Sequence, residues 1–197
     1  MTPILILAAG TSSRMRGRDK LLEEVEGAPV LRVLATRAAS LGEPVFVALP
    51  ALDHPRARAL TGLDVTLLPI PAAPEGMGAT LRDAVAALPD APRFMVLLGD
   101  MPDIGAAHMK SVLDAALTHP DQLIWRGCTE DGKPGHPMLF DTSLRRQFAT
   151  LSGDDGGRAL VAPYRDRTQL VPLPGQIARG DLDTPEDWDT WRARFGP

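Results

Sequence analysis

Near its start the chain reads PILILAAGTSSRMRGRDKLL over residues 3–22, an apolar run followed at once by glycine, serines and cations. The apolar run, residues 3–9, ends at Gly10, which is typical of a strand buried on both faces of a parallel sheet. A loop that directly follows such a strand lies at the carboxyl edge of the sheet, where open α/β folds bind their ligands. This segment therefore predicts both an α/β fold and the position of a site.

Strand and helix patterns alternate after this segment. Short apolar runs of strand length recur at residues 44–49, 65–70 and 93–98, and helical spacing of apolar residues lies between them, at 30–41, 79–88 and 104–117. Such alternation predicts right-handed crossovers and a three-layer α/β/α sandwich, Rossmann-like, with a mostly parallel sheet.

The pattern changes in the last third of the chain. Extended segments are predicted at 123–125, 137–140 and 168–171, with a turn-rich stretch at 127–135, so this part of the sheet should be mixed. Helices are predicted at 143–149, 157–161 and 184–195, the last with Thr184 as its N-cap. No linker or internal repeat is visible, and we expect a single domain over residues 1–197.

Composition limits the partners. The 197 residues contain 21 Lys and Arg against 25 Asp and Glu, a formal net charge of −4. Net acidity disfavours duplex nucleic acid or an anionic membrane surface as the main partner, because both select an extended basic face. The lone Cys128 cannot form an internal disulfide, and neither a signal peptide nor a membrane-spanning apolar run is visible, so a cytoplasmic location is expected.

The loop after the first strand concentrates positive charge in this acidic chain. Four cations fall within seven residues, namely Arg14, Arg16, Arg18 and Lys20, and they follow the serines Ser12 and Ser13. Backbone N–H groups of such a loop can wrap a phosphate while arginine and lysine bind its charge, which predicts a polyphosphate ligand. Neither a Walker A loop nor a GxGxxG fingerprint is present, since Arg18 follows Gly17 and position 12 is serine. The alternative is a basic surface loop without a ligand.

Acidic residues supply candidate metal ligands. Asp100 directly follows the apolar run 93–98, so its carboxylate should stand at a strand end beside the glycine loop. Mg²⁺ favours one or two carboxylates together with phosphate oxygens and water, which suits this position. The alternative role for Asp100 is to cap the next helix, although Asp103 is the better candidate for that. Asp181 and Asp183 flank Leu182, and either could complete the metal site.

Six motifs in order resemble one known family. They are LAAGTSSRM with Lys20 behind it, GMGATL at 76–81, LGDMP at 98–102, GHPMLF at 135–140, GDDGGRAL at 153–160 and DLDTPEDW at 181–188. Together they resemble the MobA-like NTP transferases that modify molybdenum cofactor, enzymes with the nucleotide-diphospho-sugar transferase type of fold. Ala9 is similar to the cytidylyltransferase branch, because the guanylyltransferase branch typically has LAGG.

The resemblance implies a role for each matching residue. The nucleotide-binding residues it implies are Leu7, Ala8, Ala9, Gly10, Ser12, Arg14, Lys20 and Thr80. Among these, Arg14 and Lys20 would act in catalysis together with Asp100. Mg²⁺ would be bound by Asp100 and by Asp183, which the family motif favours over Asp181 although Asp183 could instead belong to the helix cap. His136 and Arg158 would contact the acceptor, with a purely structural hydrogen-bonded role as the alternative for His136.

The implied reaction transfers CMP from CTP to the phosphate of a molybdopterin-type cofactor and releases pyrophosphate. An apo-molybdoenzyme or its chaperone is the protein partner that this reaction implies. One alternative is a transferase that uses another nucleotide or acceptor, such as a GTP-dependent guanylyltransferase or a sugar-phosphate type. The other alternative is a non-catalytic chaperone that binds the cofactor and releases no pyrophosphate with any NTP.

Overall fold

A computed structural model of the protein describes residues 1–153 and 157–194, apart from the side chain of Arg158. Its strands are β1 Ile4–Leu7, β2 Glu24–Val25, β3 Ala28–Pro29, β4 Val45–Leu49, β5 Thr66–Pro69, β6 Arg93–Leu98, β7 Ile124–Cys128, β8 Pro134–Asp141 and β9 Thr168–Pro172. Its α-helices are α1 Val30–Ala39, α2 Pro55–Ala59, α3 Met77–Ala86, α4 Ala106–Thr118, α5 Arg145–Phe148, α6 Arg158–Val161 and α7 Pro185–Ala193. None of the described helices is both long and apolar enough to cross a membrane.

One seven-stranded sheet runs in the order β5-β4-β1-β6-β8-β7-β9. The first half is parallel, with β1 between β4 and β6, so that Ile4 lies opposite Val45 on one side and Met95 on the other. Strand β8 is antiparallel to both β6 and β7, and β9 is parallel to β7. The predicted mostly parallel sheet with a mixed C-terminal part is confirmed.

Two apolar layers cover the sheet because successive side chains of a strand point to opposite faces. Ile4 and Ile6 pack with buried residues of α1, α4 and α7. Leu5 and Leu7 pack on the other face with buried residues of α3, α5 and α6. The three-layer arrangement predicted from the sequence is therefore confirmed.

Several element boundaries differ from the predictions. The expected helix at 104–117 begins later, because Gly105 is its N-cap and the backbone N–H of Gly105 donates to His108 Nδ1 at 3.0 Å. The capping role predicted for Asp103 is wrong, since its carboxylate accepts a hydrogen bond of 2.9 Å from Trp191 Nε1. The turn predicted over 127–135 is narrower, because β7 extends to Cys128 and β8 begins at Pro134.

The structure also contains elements that the sequence patterns did not predict. The short hairpin β2–β3 and helix α2 were not predicted, because neither is long enough to show a period in the sequence. The capping role of Thr184 is confirmed, since its hydroxyl accepts from the Asp187 N–H at 3.2 Å and the Asp187 carboxylate accepts from the Thr184 N–H at 2.8 Å. Residue Phe195, included in the predicted terminal helix, lies outside the described residues.

The packing of α1 on the sheet provides a test of the core. Leu31→Ala should lower the free energy of unfolding by about 2–5 kcal/mol, because the side chain is fully buried and leaves a cavity. Urea denaturation measures this change. Leu117→Ala is the control, since Leu117 is 73% exposed and its loss should change stability by no more than about 0.5 kcal/mol. Equal effects of the two substitutions would contradict the assigned core.

Candidate active site

The site lies where β1 and β6 end at the same edge of the sheet. The Gly99 N–H donates to the Leu7 carbonyl at 3.0 Å, so the two strands remain paired up to the residue before Asp100. A Cβ on Gly99 would lie 3.0 Å from that carbonyl oxygen and 3.3 Å from a methyl group of Leu21, so glycine permits this approach. The carboxylate of Asp100 is thereby fixed beside the loop that follows β1.

That loop folds back on itself through three left-handed residues. Ser12 and Arg16 have φ of 53°, and Gly17 has φ of 88°. Left-handed backbone costs a non-glycine residue about 1–2 kcal/mol, so the conformation must be held by other contacts. One such contact is Met15, whose side chain is completely buried. The consequence of the fold-back is that Lys20 returns to the strand ends.

The second contact is Arg56, the first residue after Pro55 in α2 and only 2% exposed. Its guanidinium donates to the carbonyl oxygens of Ala8 and Gly10, both at 2.7 Å, and to Ser12 Oγ at 3.0 Å. Two further bonds of 2.8 Å reach the two carboxylate oxygens of Asp19. All five guanidinium N–H groups are satisfied, which is the condition for burying this cation.

Asp19 is the counter-charge of this buried arginine. Partial burial works against its ionisation, but Arg56 and the N–H of Leu21 outweigh burial and lower the pKa of Asp19. The same carboxylate accepts a hydrogen bond of 3.3 Å from the Ser12 hydroxyl. The Ser12 hydroxyl oxygen in turn accepts a hydrogen bond from the backbone N–H of Lys20. Arg56 and Asp19 therefore determine the shape of the loop from its inner side.

The charged centre of the site joins three distant stretches of chain. Lys20 Nζ donates to Asp100 Oδ2 and to Asp183 Oδ1, the latter at 2.7 Å. Arg14 pairs with the other oxygen of Asp183 at 2.8 Å and remains 65% exposed. The predicted convergence of loop cations and two separate carboxylates is therefore present in the structure. Asp181 is exposed and adds negative charge near Asp100.

The carboxylates have more negative charge than Lys20 alone compensates. Burial raises the pKa of Asp100, and the nearby Asp181 and Asp183 act in the same direction. Burial disfavours the charge on Lys20, but Asp100 and Asp183 outweigh it and raise the pKa of the ammonium. Asp100 Oδ1 is buried, and within residues 1–153 and 157–194 it has no hydrogen-bond partner.

This donor set suits a hard divalent cation. No cluster of three or more His, Cys, Asp or Glu side chains that could enclose a metal occurs among residues 1–153 and 157–194. Two carboxylates with one unpartnered oxygen leave room for phosphate oxygens and water as further ligands, which is how Mg²⁺ is usually bound. Asp100 and Asp183 therefore fit the predicted metal site.

Thr80 is in helix α3. Its hydroxyl donates to the Gly76 carbonyl of the same helix at 3.1 Å, and its side chain is buried. The neighbouring Gly78 serves packing, because a Cβ there would lie 2.5 Å from the Ser152 carbonyl oxygen and the Gly78 N–H donates to the Gly153 carbonyl at 2.8 Å. The GMGATL motif thus joins the start of the GDDGGRAL motif through backbone contacts.

His136 lines a second cavity, of about 900 Å³, on the α3 side of the sheet, and Gly157 and Val161 form another part of its wall. Burial, together with Arg126, lowers the pKa of His136 to about 4, so the imidazole is neutral near pH 7. Arg158 is the first residue of α6, and its side chain lies outside the described part of the chain. Leu7 and Leu98 also line the cavity, which therefore begins at the ends of β1 and β6.

Sequence reasoning missed Arg56, Arg126 and Arg179. Arg56 lies in PRARA, a short basic segment without apolar period, which is typical of an exposed surface. Arg126 and Arg179 line the cavity with His136 but belong to none of the quoted motifs. The one available signal for Arg126 is a charged residue within a strand of otherwise buried residues.

Comparison with known proteins determines the family. The sequence profile of the MobA-like NTP transferase domain matches residues 4–169. The chain belongs to this family. Its fold is that of the nucleotide-diphospho-sugar transferases, and a solved structure of Rv0371c from Mycobacterium tuberculosis H37Rv superposes with a TM-score of 0.82, 26% identity and 96% coverage of both chains.

Other similar proteins match different shares of the chain. A second structure of Rv0371c, a complex with manganese, has a TM-score of 0.76 over the same share of both chains, again at 26% identity. A CMP:2-keto-3-deoxy-manno-octonic acid synthetase complexed with CTP has a TM-score of 0.76, 17% identity, and coverage of 99% of this chain and 98% of that one. The bifunctional protein GlmU of Burkholderia multivorans is 32% identical over 114 residues, which are 57% of this chain and 25% of GlmU. The chain therefore matches only about a quarter of that relative.

The loop geometry predicts a large effect of Arg56 on stability. Arg56→Met should lower the free energy of unfolding by about 3–5 kcal/mol, because it leaves Asp19 without its counter-charge. Arg56→Lys should recover only part of the loss, since one ammonium cannot replace the planar fork that reaches four residues. Urea denaturation measures both. Arg58→Met is the control, because Arg58 is exposed in the same helix.

The ion pair between Arg56 and Asp19 makes the free energy of unfolding depend on pH. Because pairing lowers the pKa of Asp19 below its ordinary value of 3.8, the stabilisation is present above that pH. It is lost as the pH falls through the lower pKa of the folded state. The stability difference between wild type and Arg56→Met should therefore shrink in acid, and a constant difference down to the lowest accessible pH would contradict the assignment.

Binding of a divalent cation at Asp100 and Asp183 can be tested by thermal stability. Mg²⁺ or Mn²⁺ in about a hundredfold excess over Kd should raise the Tm by roughly 5–11 °C, because ligand binding stabilises only the folded state. Asp100→Asn and Asp183→Asn should abolish the rise in a thermal-shift experiment. Asp114→Asn, which removes an exposed carboxylate, should retain it. A full Tm rise in Asp100→Asn would refute the site.

Proposed function

We propose that this protein transfers CMP from CTP to the phosphate of a molybdopterin-type cofactor and releases pyrophosphate. The observation that carries the proposal is the meeting of Lys20 and Arg14 with Asp100 and Asp183 at the mouth of the glycine loop. Cations and a metal site at one sheet edge fit a triphosphate, and the family membership supports the same chemistry. We further propose that residues 1–197 act as a single NTP transferase domain.

In the proposed reaction an oxygen of the acceptor phosphate attacks the α-phosphorus of the nucleotide. The new bond joins that oxygen to the α-phosphorus, and the bond from the α-phosphorus to the oxygen bridging to the β-phosphorus breaks. The electron pair leaves with pyrophosphate, and no covalent intermediate with the protein is needed. Catalysis then comes from in-line positioning and from neutralising charge on the phosphates.

Different residues of the loop would bind different parts of the nucleotide. The resemblance assigns Leu7, Ala8, Ala9, Gly10 and Ser12 to the nucleotide. Arg14, being largely exposed, can turn toward phosphate oxygens. Asp100 and Asp183 would hold Mg²⁺, which when bound neutralises charge on the phosphates. Lys20 now pairs with both carboxylates, and once these bind a cation its ammonium is available to phosphate oxygens.

The finer parts of the proposal rest on resemblance. The LAAG sequence with Ala9 supports CTP over GTP, and the six motifs support the molybdopterin-type acceptor and an apo-molybdoenzyme or its chaperone as recipient. The assignment of Thr80 to the nucleotide and of His136 and Arg158 to the acceptor has the same basis. The second candidate is a transferase that acts on a sugar phosphate, which would share the nucleotide half of the site and differ in the acceptor half.

Pyrophosphate release separates these candidates. The protein is incubated with Mg²⁺ and each of the four NTPs, with and without molybdopterin cofactor or a hexosamine 1-phosphate. Pyrophosphate formed only with CTP and molybdopterin supports the proposal. Release only with the sugar phosphate supports the second candidate, and tight cofactor binding without pyrophosphate from any NTP supports a chaperone.

Lys20 provides the sharpest variant for this assay. Lys20→Met should reduce kcat by about 100-fold or more, as expected when a charged group that stabilises the transition state is removed. Lys110→Met is the matched control, because Lys110 is 63% exposed and pairs with Asp114 on the same helix. A folded Lys20→Met protein with full activity would refute the role of Lys20.

A further inference from the structure

The segment that carries Asp183 belongs to no helix or strand. It lies between the 3₁₀ turn Ile177–Arg179 and the start of α7 at Pro185. On its N-terminal side the Leu182 N–H donates to the Asp100 carbonyl at 3.1 Å, which places this segment against the end of β6. The direction in which the Asp183 carboxylate points therefore depends on what holds the backbone of that residue from the other side.

Asp187, in the first turn of α7, makes the contact on that other side. Its Oδ2 accepts the backbone N–H of Asp183 at 3.0 Å and that of Thr184 at 2.8 Å. A capping box needs only the second of these bonds, from the N-cap N–H to the side chain three residues later. The bond from Asp183 reaches one residue further back and holds the backbone of a candidate metal ligand.

Helix α7 is itself anchored close to Asp100. Trp188 is fully buried and Trp191 is 9% exposed, so both rings fix the helix in the core. Trp191 Nε1 donates to Asp103 Oδ1 at 2.9 Å, and Asp103 follows Asp100 by three residues. A shift of α7 would expose these rings or break that bond. The first turn of the helix is therefore a fixed point relative to the carboxylate of Asp100.

A fixed point of this kind matters for a cation that two segments share. Mg²⁺ accepts ligands in near-ideal octahedral geometry at about 2.0–2.1 Å, so two carboxylates from different segments bind it together only at the right spacing. Groups that hydrogen-bond and orient metal ligands commonly contribute about 10–100-fold to metal affinity. Asp187 is bonded to the main chain of Asp183 in this way, from outside the pair of carboxylates.

We propose that Asp187 is a positioning residue for the cation site, which holds the backbone of Asp183 so that its carboxylate and that of Asp100 bind one divalent cation together. This inference rests on the metal site of the proposed function. It gives Asp187 a role beyond the helix cap, and it makes the first turn of α7 part of the construction of the site.

Binding of Mn²⁺ without nucleotide tests this role, and the paramagnetic resonance signal of free Mn²⁺ measures it. Asp187→Ala should weaken Mn²⁺ binding about tenfold or more, because Asp183 loses the contact that orients it. Asp187→Asn should lose clearly less, since its amide oxygen can still accept both N–H groups. Wild-type affinity in Asp187→Ala would overturn the proposal, and so would equal losses in the two variants, because charge alone would then explain them.

Thr184→Ala is the control for the helix cap. It removes the hydroxyl that accepts the Asp187 N–H at 3.2 Å, but it keeps both backbone N–H groups that the Asp187 carboxylate binds. The variant should therefore lose stability in urea denaturation while its affinity for Mn²⁺ stays that of wild type. A loss of Mn²⁺ affinity equal to that of Asp187→Ala would show that capping alone matters and would overturn the positioning role.

The positioning role and the proposed reaction fail separately. If Mn²⁺ binding follows the expected pattern but no NTP yields pyrophosphate, the reaction is wrong and the role of Asp187 stands. If pyrophosphate is released with CTP and molybdopterin cofactor while Asp187→Ala binds Mn²⁺ like wild type, the reaction stands and the role of Asp187 is wrong. If wild type binds no Mn²⁺ that Asp100→Asn abolishes, the metal site and the role of Asp187 are both wrong, and the pyrophosphate assay still decides the reaction.

Discussion

The ammonium of Lys20 pairs with two carboxylates that lie 80 and 163 residues away from it in the sequence. It joins the loop after β1, the end of β6 and the segment before α7. Asp100 is buried, and a charge in that position without a partner would be strongly destabilising. The pairing therefore constrains three segments at once, and the sheet order that places β1 beside β6 is what makes it possible.

A second buried cation shapes the loop from the inside. Arg56 satisfies the carbonyl oxygens of Ala8 and Gly10, which a loop leaving a strand would otherwise bury without partners. Only a guanidinium has donors enough to reach these oxygens, Ser12 and both oxygens of Asp19 together. The work of the basic residues is thus divided: Arg56 builds the loop, whereas Arg14 and Lys20 face the proposed ligand.

The sequence predicted the elements with a regular apolar pattern and the site residue that directly follows a strand. Buried strands such as β1 and β6 have continuous apolar runs, and Asp100 was found because it follows one of them. Arg56 could not be found this way, since its burial depends on contacts with a loop 37 to 48 residues earlier. Asp103 was assigned to a helix cap because local preference favours it, and the long-range bond from Trp191 prevailed. Residues whose roles depend on tertiary partners leave little local signal.

The two sides of the site differ in how their positive charge is made available. On the loop side the cations have acidic partners, Arg14 with Asp183, Arg16 with Glu186 and Arg18 with Glu23, and Lys20 shares two carboxylates. In the cavity, within the described part of the chain, Arg126, Arg165 and Arg179 have none. Among the described residues, the arginines of the cavity are therefore without carboxylate partners, whereas the cations of the loop are already paired. A divalent cation held by Asp100 and Asp183 would compete with Lys20 for these carboxylates, so in the proposed function the loop would gain positive charge when a triphosphate binds together with its cation.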